Sequence, residues 1–207
     1  FKEGASTIGE LVSRARGLGY SALALTDHDN LCGAMEFART CRSMGIKPIT
    51  GVEVTLVGRY HITLLAENRE GYANMCRLLS RSHVFSERSY PEIDPRVFGD
   101  YSRGIIALSG CRKGELSSLV MDGRFSEAKN LASRYEKWFG VNNYFIELQE
   151  NLVHGDTQRN RHLAALARDL NIPVVATNNA HYHLRSRHCL QDCLVAIHEN
   201  KSLNETH

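Results

Sequence analysis

Nowhere does this 207-residue chain approach the roughly 18 consecutive apolar residues that a membrane span needs. Phe1–Glu10 has neither the basic start nor the apolar middle of a secretory signal. Both absences predict a soluble protein with no membrane partner. A dominant charge is lacking too: 25 basic against 23 acidic side chains leave +2. That is too little for a global field toward nucleic acid, so any polyanion must be held locally. The six cysteines, Cys32, Cys41, Cys76, Cys111, Cys189 and Cys193, lack the dense spacing of a disulfide framework, which predicts a reducing, cytoplasmic setting. Cys189 and Cys193 are spaced as neighbours on one helix face rather than as a zinc knuckle. Repeats, linkers and low-complexity tracts are absent, as are a Rossmann fingerprint and a supported Ser-His-Asp order. Ser109-Gly110-Cys111 with Gly114 lacks the lysine and spacing of a phosphate loop.

What is present is a balanced globular composition, 43% hydrophobic and 23% charged, enough to bury one good core and read as one domain over residues 1–207. Ten histidines are more than such a chain ordinarily carries, which directs the search to metal ligands.

The apolar pattern alternates strand and helix. Thr7 and Glu10 form a capping box before the helical spacing of Ile8, Leu11, Val12, Ala15 and Leu18, ended by Gly19. Ser21–Thr26 is a short apolar strand bounded by the polar Asp27-His28-Asp29-Asn30. Leu31–Met44 reads as helix, Ile46–Val57 and Tyr60–Ala66 as strands, and Arg69–His83 as helix. After the polar loop Ser86–Glu92, Asp94-Pro95 opens a short helix. Ile105–Ser109 is strand, Glu115–Met121 and Ser126–Phe139 are helices, and Tyr144–Gln149 is strand. Asp156 caps a helix to Leu170, Pro173–Thr177 is strand and Cys189–Glu199 is a closing amphipathic helix. The rhythm predicts a mainly parallel α/β sheet, barrel or doubly wound.

In such folds ligands sit beyond the carboxyl ends of the strands, where loops converge. The strands carry a possible metal ligand one after another: Asp27-His28-Asp29, Glu53, His61, Cys111, Glu147 and His181. Each has a plainer reading. A strand-end histidine is often only hydrogen-bonded, Cys111 alone is a small buried hydrophobe, and Glu147 could face solvent on an edge strand. Glu53 is harder to dismiss, because a carboxylate between Val52 and Val54 is costly to bury without a cation or donors. His183 reads as an exposed loop residue. Arg77, Arg81, Arg88, Arg185 and Arg187 read as solvated faces that could also meet a phosphate backbone.

Thr26-Asp-His-Asp29, Gly51-Val-Glu53, Tyr60–Ala66, Ser109-Gly-Cys111 with Gly114-Glu115-Leu116, Glu147-Leu-Gln149 and Ala176–Tyr182 follow an order that resembles the PHP (polymerase and histidinol phosphatase) domain family. The nearest resemblance is to the amino-terminal domain of bacterial DNA polymerase III alpha subunits. The Leu190–Ile197 tail and Asn178-Asn179 look more like the error-prone, translesion branch.

The resemblance implies a distorted seven-stranded α/β barrel of TIM type with up to three zinc, manganese or iron ions, one or two of them expected here. His28 and His181 would share one metal with Glu3, and His61, Cys111 and a bridging Glu53 would hold another. A third would be weak, since Asn179 stands where the family commonly has aspartate and a neutral amide is a poor ligand. The family's His-x-His motif lies upstream of the segment that Phe1–Ala5 matches, so the first strand is expected to be missing and the chain to belong to a much longer polymerase. Expected partners are DNA, the rest of that chain, and a sliding clamp or translesion accessory proteins. Magnesium would serve nucleotidyl transfer outside these residues. Three roles follow from the family: a scaffold with a structural metal, a metal-dependent exonuclease or pyrophosphatase, or a free-standing histidinol-phosphate phosphatase. Gly110-Cys111 and the Leu190–Ile197 tail speak against the last.

Overall fold

A computed structural model describes residues 4–85 and 91–205, so Glu3 and Arg88 lie outside the described residues. Within them are six strands and eight α-helices. The helices are α1 Ile8–Gly17, α2 Ala34–Ser43, α3 Arg69–Phe85, α4 Phe98–Tyr101, α5 Glu115–Met121, α6 Phe125–Phe139, α7 Asp156–Leu170 and α8 His188–Glu199. The strands are β1 Ala22–His28, β2 Lys47–Leu56, β3 Tyr60–Ala66, β4 Ile105–Leu108, β5 Tyr144–Gln149 and β6 Val174–Thr177, hydrogen-bonded in sequence order. Among the described residues no helix is long and apolar enough to cross a membrane.

The chain divides into two compact units, one of residues 1–25, 32–49 and 180–207, the other of residues 26–31 and 50–179. In the smaller unit, the Glu10 amide donates to Thr7 Oγ1 at 3.3 Å and the Thr7 amide to Glu10 Oε2 at 2.9 Å, the predicted capping box. Helical spacing then buries Val12 and Ala15 with Phe37, Cys41 and Ile46. His183 is no exposed loop residue: Ser6 Oγ lies 2.7 Å from its Nδ1 and accepts from its amide at 3.0 Å. On α8 only Ala196 is buried, and Cys189 and Cys193 are both exposed.

In the larger unit one face of the sheet meets the helices. Val52, Val54 and Leu56 of β2, Ile62 and Leu64 of β3, Ile105 and Ala107 of β4, and Tyr144 and Ile146 of β5 pack there with Met75, Leu116, Leu131, Tyr135 and Leu163. Because strand side chains alternate, Glu53 and Thr55, His61 and Thr63, and Glu147 and Gln149 turn to the opposite face. This partition gathers the polar residues. Gly51 keeps that face passable: a Cβ there would come within 2.6 Å of Leu65 Cδ2 and 2.9 Å of Thr26 Cγ2.

The sheet is less parallel than the helix–strand rhythm predicts. β2 and β3 form an antiparallel hairpin through residues 57–59, where Gly58 and Arg59 take φ of 89° and 66°. β3 also pairs antiparallel with β4, while β4–β5 and β5–β6 are parallel. Thus β3 alone runs against β2, β4, β5 and β6, since three residues cannot make the crossover a parallel partner requires. Two local expectations also change. β1 continues through Asp27 and His28 rather than ending at Thr26, and the next amide, Asp29 N, still donates to Glu53 O at 2.9 Å. Asp156 is the first residue of α7 rather than its cap, which is Gly155 in a left-handed conformation.

Candidate metal centre

The reversal of β3 decides the site. His61 is its second residue, so it stands at the sheet end where β2 finishes and β4 leaves. Cys111 follows β4 on a tight loop. Gly110 there has φ of 94°, and a Cβ on it would fall 2.1 Å from His61 O. The loop is pinned to β3, with the His61 amide donating to Lys113 O at 3.1 Å and the Gly114 amide to Cys111 O at 2.9 Å. His28 closes β1 at the same end.

These segments bring four side chains together. Glu53 Oε1 lies 2.9 Å from His61 Nδ1, 3.1 Å from Cys111 Sγ and 3.8 Å from His28 Nε2, and Cys111 Sγ lies 3.6 Å from His61 Nδ1. The imidazoles of His28 and His61 meet edge to face, with centroids 4.4 Å apart and planes at 74°. His28, Glu53 and His61 each offer a ligand atom within 4.8 Å of the others.

Asp29 supports this group from below. Its Oδ1 accepts from the Thr55 amide at 2.8 Å and its Oδ2 from Thr55 Oγ1 at 2.7 Å, while Oδ2 also lies 3.3 Å from His28 Nδ1. A carboxylate on the second nitrogen orients the ring and leaves Nε2 facing Glu53. Asp29 takes φ of 52°, and its carbonyl accepts from His83 Nε2 at 2.9 Å. Asn30 Nδ2 donates to His28 O at 2.8 Å.

The electrostatics follow from burial and these contacts. Burial pushes the Glu53 carboxyl up, but the His61 hydrogen bond, the charge of His28 and the Cys111 thiol outweigh it and leave Glu53 below its usual range. Burial also pushes Asp29 up, and its bonds to His28 and Thr55 again leave it lowered. The Cys111 thiol is pushed up to about 12, first by burial and then by the Glu53 carboxylate. Without a cation the thiol therefore keeps its proton. The imidazoles of His28 and His61 and the Glu53 carboxylate, with the Cys111 thiol against Glu53 and His61, are a donor set that fits a divalent ion such as zinc.

The scan of protein families matches residues 1–151 to the PHP domain model. The chain belongs to the PHP family. It is 37% identical over an alignment of 223 positions to the error-prone DNA polymerase of Symbiobacterium thermophilum, which covers 100% of this chain and 20% of that protein. It is 36% identical over 217 positions to the DNA polymerase III subunit alpha of Treponema pallidum, covering 98% of this chain and 18% of that one. The chain thus spans about a fifth of the length of the curated relatives it matches. Among solved structures the fold is shared with an amidohydrolase of Chromobacterium violaceum, with TM-score 0.58, 17% identity, and 86% and 84% of the two chains covered. It is shared also with a Bifidobacterium adolescentis protein provisionally described as a metal-dependent phosphoesterase, with TM-score 0.56, 13% identity, and 93% and 92% covered.

Of the residues that the resemblance names, His28, Glu53, His61 and Cys111 come together. Asn179 is exposed two residues beyond β6, and His181 lies in the smaller unit, where its carbonyl accepts from the Ala5 amide at 2.7 Å. Glu147 faces no solvent: it is 4% exposed on β5, an interior strand between β4 and β6. Asp29, named in the sequence only as part of the Asp27-His28-Asp29 group, turns out to orient His28.

Proposed function

We propose that this chain is the PHP portion of a bacterial DNA polymerase of the III alpha type, from its error-prone branch, and that His28, Glu53, His61 and Cys111 hold one divalent metal ion with a structural role. The observation that carries the metal is the convergence of His28, His61 and Cys111 on Glu53 Oε1. The polymerase context is supported by relatives of that type along nearly the whole chain, and the error-prone branch by the Symbiobacterium protein and the Leu190–Ile197 tail. These four residues would hold the ion, which would offset the charge of Glu53 and of the Cys111 sulfur and cross-link β1, β2, β3 and the loop after β4. His28, Glu53, His61 and Cys111 would bind, Asp29 orients His28, and Gly110 lets the Cys111 loop close onto β3. In this reading the rest of the polymerase chain, DNA and any clamp or accessory protein are partners of the whole cytoplasmic molecule, and magnesium serves nucleotidyl transfer outside these residues.

A second reading, metal-dependent hydrolysis of a nucleotide 3′ end or of pyrophosphate, is favoured by the fold neighbour described as a phosphoesterase. Elemental analysis of the purified chain with Glu53→Ala and Cys111→Ala variants tests the centre. About one ion per chain, lost in both variants, is expected; a parent chain without metal overturns it. Loss of 3′-labelled single-stranded DNA in the presence of manganese or zinc selects hydrolysis over the structural role.

A further inference from the structure

Beside the four-residue group lies a buried acid that it does not use. Glu147 is anchored by its amide, which donates to Ser109 Oγ at 2.9 Å. Its Oε1 accepts from Gln149 Nε2 at 3.0 Å and from Thr177 Oγ1. Oε2 is buried with no hydrogen-bond partner. The Gly110 amide stabilises the carboxylate from nearby without reaching Oε2 in hydrogen-bond geometry.

Three relations place Glu147 at the metal centre. It shares the polar face of the sheet with Glu53 and His61, its amide is held by Ser109 at the start of the loop that carries Cys111, and the Glu147 carboxyl, the Glu53 carboxyl and the Cys111 thiol act on one another's charge. A buried carboxylate oxygen left without a partner is costly. Burial holds the Glu147 carboxyl above its usual range and the Gly110 amide offsets this only in part, so without a cation the defect remains. A cation does remove it, and also screens Glu147 from Glu53.

We propose that Glu147 is a further metal-binding residue, its Oε2 supplying a carboxylate oxygen to a divalent cation held at the His28–Glu53–His61–Cys111 centre. The proposal rests on reading that group as a metal centre. Glu147 then links the centre to β6 through Thr177, so that the cation reports on the exits of β1, β2, β4, β5 and β6 together.

The test is zinc and manganese affinity by chelator competition, with ion content per chain, in the parent protein and in Glu147→Gln and Glu147→Asp. Glu147→Gln keeps the shape and the Gln149 and Thr177 contacts but removes the charge. The expected result is a loss of about 10–100-fold in affinity, or of one ion per chain, with a metal-free melting temperature no lower than the parent's. Should Glu147→Gln melt early, Glu147→Asp decides: it keeps the charge but draws the oxygen back by one methylene, and weaker binding is again expected. Content and affinity within about twofold of the parent in a folded variant overturn the proposal and leave Glu147 a packed structural acid. A parent that takes up neither metal fails the reading of the centre itself; a parent that binds metal while both variants bind it equally fails only the inference about Glu147.

Discussion

Glu53 and His61 meet diagonally across the β2–β3 hairpin: Glu53 stands opposite Thr63 and His61 opposite Thr55, yet Glu53 Oε1 and His61 Nδ1 are 2.9 Å apart. The contact requires both the two-residue offset and the reversal of β3. Its pH dependence has a definite sign. The Glu53 carboxyl lies below its ordinary 4.5 in the folded protein, so its stabilisation is present above that pH and is lost as pH falls through the lowered value. Glu53→Gln in metal-free protein is expected to cost about 1–3 kcal/mol at neutral pH and to flatten the acid limb of stability, read by urea unfolding at several pH values.

Gly110 is sterically committed. At φ of 94°, with His61 O 2.1 Å from the position of a Cβ, alanine forces the Cys111 loop off β3. Gly110→Ala is expected to cost about 2–4 kcal/mol and to weaken metal binding with it. Denaturant midpoints with and without zinc check this, and an alanine variant as stable and as metal-competent as the parent contradicts it.

Asp156 and Arg159 form an ion pair at 2.7 Å, both buried. The Asp156 carboxylate also accepts from the Asn151 and Val153 amides, and Arg159 donates to Gln149 O at 2.7 Å, so the pair closes the loop after β5. Burial pushes Asp156 up, but these donors leave it below its usual 3.8. Its contribution is therefore full at neutral pH and lost only as pH drops below that value. Asp156→Ala, which strands the guanidinium, is expected to cost about 3–5 kcal/mol; a change under about 1 kcal/mol by thermal or urea unfolding contradicts the clamp.

Cys111 gives metal binding a pH signature. Its thiol, pushed up to about 12, must lose a proton to bind a cation as thiolate. Apparent zinc affinity is expected to rise about tenfold per pH unit on this account over the neutral range, and Cys111→Ser to lose that part of the slope. Chelator competition at several pH values measures it, and parallel slopes for the two proteins exclude thiolate ligation.

Much of this architecture is legible in the residues. Tyr60–Ala66, Glu115–Met121 and Tyr144–Gln149 begin and end where apolar period and turn residues place them, because each carries its own burial pattern and stop signals. Glu53 announces itself as a charge between two buried valines. Glu147, in an equally apolar setting, could not be told from a solvent-facing residue, since whether β5 is an edge or an interior strand depends on β6 pairing beside it from nearly thirty residues away. His183 and Ser6 are likewise joined across almost the whole length of the chain.

The sequence by itself determined the alternation of elements, the faces they bury and the kinds of donor available, since periodicity, caps and turns are local properties of the chain. Only the tertiary structure decided that β3 runs backwards, that His61 thereby reaches Glu53 and Cys111, and that Glu147 is buried on the same face with one oxygen unpaired. Those are outcomes of pairing direction and register, fixed by backbone hydrogen bonds between distant segments and by how closely Gly51 and Gly110 let those segments approach.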